Sequence, residues 1–112
     1  MVYLLNYKSL HKAPPRTPIR CLEERQDKKF DYFSPLTPSP FVRSLIHQRR
    51  YTQAKKEMIS LSRSEKAKSS INALKHSTQD VILVTHESDV SPLTELRKEL
   101  LKKWGIDFTI VS

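Results

Sequence analysis

Glycine and cysteine are almost missing from this 112-residue chain, which has one of each, Gly105 and Cys21. A single glycine excludes the Walker and Rossmann phosphate-binding fingerprints, because both need several glycines for a tight turn and for close approach of backbone to phosphate. A single cysteine excludes an internal disulfide and any multi-cysteine metal knot, and a reducing compartment fits best. Long apolar runs are missing too. No stretch is long enough to span a bilayer, and the opening Met1-Val2-Tyr3-Leu4-Leu5-Asn6 lacks the extended apolar core of a signal peptide. The expectation is a soluble, cytoplasmic protein with no membrane partner. One domain, residues 1–112, suffices at this length, and it is large enough for a two- or three-layer core.

What is present in excess is positive charge. The formal net charge is +8, and it is unevenly placed: residues 1–60 hold 12 Lys and Arg against 5 Asp and Glu, whereas residues 61–112 hold 8 against 7. A basic amino-terminal half attracts phosphates by its field and by counterion release, so nucleic acid is the first partner class to consider. A high pI is also common among small proteins that bind no nucleic acid, and composition alone does not separate the two.

The clearest local pattern lies in residues 80–112. Val81, Ile82, Leu83 and Val84 form a continuous apolar run, the mark of a central strand buried on both faces. Ser91 and Pro92 then read as the N-cap and first residue of a helix, since proline loses nothing where the N–H has no intrahelical partner. Leu93, Leu96, Leu100, Leu101 and Trp104 make one apolar stripe. Gly105 follows at the left-handed position that ends helices, with Lys102 and Lys103 in the last turn where the dipole favours cations. Ile106, Phe108, Ile110 and Val111 supply the next strand. The segment is therefore a βαβ unit with a right-handed crossover.

Upstream, Val2 to Leu5 and Ile19 to Leu22 read as two further strands, joined by the proline-rich basic run His11 to Pro18, a surface loop. Glu23 to Lys29 has nothing apolar to bury and reads as a mobile excursion. Phe30 to Pro40 mixes aromatics with prolines and reads as an ordered loop packed by its rings, although aromatics beside arginines also stack bases. Three helices follow. Ser39-Pro40 starts the first, with Phe41, Leu45 and Ile46 on its apolar side. Tyr51, Ala54, Met58 and Leu61 carry the second. Ser62 with Glu65 forms a capping box for the third, whose stripe is Ala67, Ile71 and Leu74. The fold class is α/β: a small, mostly parallel sheet of about four strands with helices packed on it, ending in the βαβ unit.

Candidate chemistry gathers past the end of the Val81–Val84 strand, where open α/β sheets keep their ligands. Glu87 and Asp89 are the best carboxylate pair, candidates both for catalysis and for holding a divalent cation, the one cofactor worth considering, since hard cations take oxygen ligands. Asp89 is equally explained as a turn residue placed favourably near a helix amino terminus. His86 is a candidate acid or base, or a histidine bonded within the turn. Cys21 reads as a buried structural thiol in preference to a nucleophile. Arg16, Arg20, Arg43, Arg49 and Arg50 are candidates for an anion-binding face, because guanidinium groups grip phosphate bidentately.

Taken in order, these features resemble the family known as domain of unknown function four-eight-eight, small α/β proteins of bacteria and phages. The resemblance runs through most of the chain. It is carried by the opening strand with Leu10, Lys12 and Pro14, by Thr17-Pro18-Ile19, by Leu36-Thr37-Pro38-Ser39, which looks like the family's Leu-x-Pro-Ser element, by the helix beginning at Tyr51, and by Asp80-Val-Ile-Leu-Val-Thr-His-Glu87, which looks like its penultimate strand. Thr85 stands where the family has a strand-end cysteine, and Ser91, Pro92 and Leu93 stand in the neighbourhood of its Cys-His-Arg triplet, so thiol chemistry is not implied here. Glu87 carries over. A second resemblance is to the metal-dependent nuclease domains of PIN and NYN type. Val84-Thr85-His86-Glu87-Ser88-Asp89-Val90 looks like their Ser-Gly-Asp-Ser-Asp-Phe turn, but Asn6 and Asn72 stand where that pattern has aspartates.

The expected function is that of an accessory protein of viral or phage type, without catalysis, binding an anionic partner through its basic face. The alternatives are a metal-dependent nuclease using Glu87 and Asp89, and a module that inhibits a protein partner through residues Phe30 to Phe41.

Overall fold

The computed structural model describes residues 1–22, 31–88 and 90–111. The expected excursion Glu23 to Lys29 and the candidate ligand Asp89 lie outside these residues. Among the described residues the strands are β1 (Val2–Asn6), β2 (Ile19–Cys21), β3 (Asp31–Tyr32), β4 (Val81–Thr85) and β5 (Phe108–Val111), and the helices are α1 (Pro40–His47), α2 (Tyr51–Leu61), α3 (Glu65–Lys75) and α4 (Pro92–Lys103). Short 3-10 helices cover Tyr7–Lys12 and Ser34–Leu36. No described helix is long and apolar enough to cross a membrane.

The sheet is wholly parallel, in the order β3-β2-β4-β1-β5. It has one strand more than the sequence suggests. β3 is two residues long, begins with aspartate, and exists by pairing Arg20 with Asp31 and Cys21 with Tyr32, so its strand character comes from the neighbour and not from propensity.

β4 occupies the centre, as its unbroken apolar run requires, and all five of its residues are buried. Val81 and Leu83 join Val2 and Leu4 in a core built with the inward side chains of all four helices, among them Val42, Leu45, Ala54, Met58, Ile71, Leu74, Leu96, Leu100 and Leu101. Ile82 and Val84 point the other way with Leu5, beside Ile19 of β2 and Val111 of β5, where the cover is Leu10 and Ala13. The helices thus lie on one face and the proline-rich connection on the other. The crossovers β3→β4 and β4→β5 move in one direction along the sheet, whereas β1→β2 moves back. Connections of one hand that run in opposite directions must use opposite faces.

Helix ends follow local chemistry. Ser91 accepts the Thr94 N–H at 3.1 Å ahead of Pro92, and Ser39 accepts the Val42 N–H at 3.2 Å ahead of Pro40. At the end of α4, Gly105 (φ 73°) donates to Lys102 O and Ile106 to Leu101 O, both at 3.0 Å. That is the paired Schellman arrangement, and Ile106 and Leu101 are both buried beside it.

Three expectations need correction. The third helix is capped by Ser64, whose Oγ accepts the Ala67 N–H at 3.1 Å. Ser62, the C-cap of α2, still has helical backbone (φ −76°, ψ −7°), and its Oγ donates to Ile59 O at 2.6 Å; an N-cap needs extended backbone, which Ser64 has. Phe41 is exposed and Val42 takes its place in the core, because Pro40 sets the start of α1 and Val42 and Leu45 then fall inward, with Ile46 partly buried against the same core as expected. Tyr51 and Leu61, at the two ends of α2, are also exposed, leaving Ala54 and Met58 as its buried side.

Candidate functional site

The neighbouring strands β1 and β4 leave the sheet toward opposite faces. After Asn6 the chain turns into the 3-10 helix that carries Leu10 onto one face, and after Thr85 it turns toward α4 on the other. Asn6 and Thr85 are paired in register. A parallel sheet opens a crevice at such a switch point, beyond the carboxyl ends of the strands. Asn6, Tyr7, His86 and Glu87 therefore meet there although 80 residues separate the two segments in sequence, as Asn6 and His86 show.

Each of these residues is held. Asn6 caps the 3-10 helix, its Oδ1 accepting the Lys8 N–H at 3.0 Å, while its Nδ2 donates across the crevice to Glu87 O at 2.8 Å. The Glu87 N–H donates to Thr85 Oγ1 at 3.0 Å. The backbone of Glu87 is thus fixed from both sides, and the carboxylate of this half-buried residue makes no hydrogen bond or ion pair with another described residue. The rings of Tyr7 and His86 stack, with centroids 4.4 Å apart and planes inclined by 21°. Tyr7 is the outer member, 48% exposed, and Lys8 beside it is exposed.

Behind the crevice lies Arg97, fully buried on α4. Its Nε donates to Leu36 O at 3.0 Å, one terminal nitrogen to Thr85 Oγ1 at 2.9 Å and the other to Leu22 O at 2.9 Å. A guanidinium suits this place because its donors diverge in one rigid plane. It ties the ends of β2 and β4 and the 3-10 helix at Ser34–Leu36 to α4, and through Thr85 it reaches the backbone of Glu87. Thr94 adds a second tie, its Oγ1 donating to Ser88 O at 2.6 Å.

The sequence reading did not single out Arg97, yet a signal was present. Arg97 falls four residues after Leu93 and three before Leu100, on the apolar stripe. A charge in that position is either buried with partners or incompatible with the helix's packing.

The candidate arginines do not form one face. Arg16 (φ 64°) is exposed in the connection that enters β2 at the opposite, amino end of the sheet, two residues before Pro18, whose carbonyl accepts from Ile82. Arg20 lies within β2, opposite Leu83 in register, and is half-buried. Arg43 is exposed on α1. Arg49 and Arg50 form the turn into α2, whose first residues Tyr51 and Thr52 share a groove of about 540 Å³ with Val90 and Pro92 at the start of α4. These two, with Lys8, lie at the carboxyl end of the sheet, the end that carries Glu87. Arg49 also adopts a left-handed φ of 62°, ending α1 with the same paired bonds that Gly105 makes for α4, to Ile46 O at 3.0 Å and from Arg50 to Leu45 O at 2.8 Å.

Among the described residues no group of three or more His, Cys, Asp or Glu side chains is arranged to hold a metal ion. Asn6, which stands where the nuclease pattern has an aspartate, has both ends of its amide occupied. The described donors at the crevice do not make a cation site. The aromatic and proline-rich stretch is largely interior: Phe33, Leu36 and Pro35 are buried, Phe41 is exposed, and Phe30 lies outside the described residues. Cys21 is buried, consistent with a structural thiol. In comparisons with known proteins, no family model, no curated protein and no solved structure matches the chain.

Proposed function

We propose that this protein binds an anionic partner, single-stranded nucleic acid first, at the carboxyl end of its sheet, with no catalysis of its own required. The observation that carries the reading is the switch-point crevice itself. It presents a stacked ring pair, exposed Tyr7 lying on half-buried His86, at the end of the sheet that also bears Lys8, Arg49 and Arg50. Aromatic faces stack unpaired bases and basic side chains follow the phosphates, the combination on which sequence-tolerant single-strand binding rests. Arg49 adds support. A residue other than glycine in the left-handed region costs about 1–2 kcal/mol, and outliers of this kind cluster at functional positions. The same reading suits a divergent, non-catalytic relative of the four-eight-eight family that retains Glu87.

The test is binding of labelled single- and double-stranded DNA and RNA across a salt series, with Mn²⁺ in parallel. Affinity for single strands that falls steeply with salt, and falls further in the Arg49→Ala/Arg50→Ala double variant, is the expected result. Absence of binding at low salt removes nucleic acid as the partner, and Mn²⁺-dependent cleavage would replace the binding reading with the nuclease.

A further inference from the structure

We propose that the crevice at the ends of β1 and β4 is a reader of one unstacked guanine, with Glu87 as the residue that selects it; this rests on the nucleic-acid reading above. Two features of Glu87 point to a ligand. Its N–H is held by Thr85 Oγ1 at 3.0 Å and its carbonyl by Asn6 Nδ2 at 2.8 Å, so the backbone is pre-set. Its carboxylate is left without a hydrogen-bonded partner among the described residues, although the residue is half-buried beside the ring pair. A carboxylate carried on a pre-set backbone, with both acceptor oxygens unused among the described residues, recognises two parallel N–H donors.

Among the four common bases only guanine presents such a pair, N1–H and the exocyclic N2–H, side by side on its Watson–Crick edge. Adenine and cytosine each place one amine next to an unprotonated ring nitrogen whose lone pair would face the carboxylate. Uracil and thymine flank their single N–H with two carbonyl oxygens. Bases in loops and single strands are read in this way, stacked on an aromatic side chain and bonded along that edge. Tyr7, half exposed and backed by His86 at 4.4 Å, offers the stacking surface. Lys8 stands next to it for the adjoining phosphate.

The test is fluorescence anisotropy at low ionic strength with short end-labelled oligouridines that carry one central guanosine, inosine or adenosine. Matching deoxyoligonucleotides and free guanosine monophosphate as competitor distinguish an RNA, a DNA and a mononucleotide ligand. The expected result is that the guanosine strand binds about tenfold more tightly than the adenosine strand, within the range one bidentate base contact supplies. Inosine, which keeps N1–H and lacks the amine, falls between them. Glu87→Gln abolishes the preference for guanosine over adenosine, and Tyr7→Leu weakens all three strands. Equal binding of the three strands, or a preference that survives Glu87→Gln, overturns the guanine reading while leaving the single-strand reading in place. Failure of every strand to bind overturns both.

Discussion

Removal of the Arg97 guanidinium is the most direct way to challenge the account of how the site is held. Arg97→Met keeps much of the side chain's volume and its helix propensity but strands two carbonyl acceptors in a place with no solvent access, Leu36 O and Leu22 O, and takes one of two donors from Thr85 Oγ1, which keeps the Glu87 N–H. Each buried polar group left without a partner costs about 1–3 kcal/mol. Against that stands relief of the desolvation of one buried cation, worth several kcal/mol. The net expectation is about 2–4 kcal/mol, set by the carbonyls left buried without a donor. For a domain of this size, urea unfolding with a slope of roughly 1–3 kcal/mol/M should show the midpoint falling by about 2 M. Thr85→Val is the companion variant. It preserves shape but deprives both Arg97 and the Glu87 N–H of their acceptor, at a cost of about 2 kcal/mol. Because the two substitutions share one hydrogen bond, the double variant should lose at least about 0.5 kcal/mol less than the sum of the singles. An Arg97→Met midpoint within about 0.3 M of the parent, or strict additivity of the pair, would refute the reasoning.

Other expectations follow from single positions. Gly105→Ala puts a side chain on a backbone of φ 73°, with its Cβ 3.2 Å from the flexible end of Lys75, and should cost about 1–2 kcal/mol in the same urea titration. Arg49→Gly should act in the other direction, raising stability by up to about 1 kcal/mol by removing left-handed strain while lowering single-strand affinity; loss of stability would show that Arg49 serves packing and not binding. Phe33→Ala should cost about 3–5 kcal/mol in thermal or urea unfolding, because the ring is buried. An unchanged melting curve together with loss of a protein partner would instead make residues 31–41 a docking surface.

Much of this architecture was legible in the chain. The unbroken Val81–Val84 run placed β4 at the centre, since only a strand covered on both sides can be apolar at every position. Ser91-Pro92 and Gly105 bounded α4 because capping chemistry is local and acts within a turn of the residues that encode it. The assignment of Ser62 as a cap failed for a related reason. Two serines two residues apart carry the same side-chain signal, and only the backbone left by α2 decides that Ser64 is extended where Ser62 is helical.

What the sequence by itself determined is therefore the four helices, four of the five described strands, their parallel βαβ ending and the position of Glu87 past a strand end, because periodicity, caps and turns are properties of short segments. Only the tertiary structure decided which segments meet. It brought Asn6 and Tyr7 to His86 and Glu87 by placing β1 beside β4, made a strand of Asp31–Tyr32 by pairing, and sent Arg16 to the end of the sheet opposite Arg49 and Arg50. It also enclosed Arg97, whose partners come from residues 61 and 75 positions away in the chain. Contacts at such separations depend on strand order and on the face each crossover takes, and no local pattern encodes either.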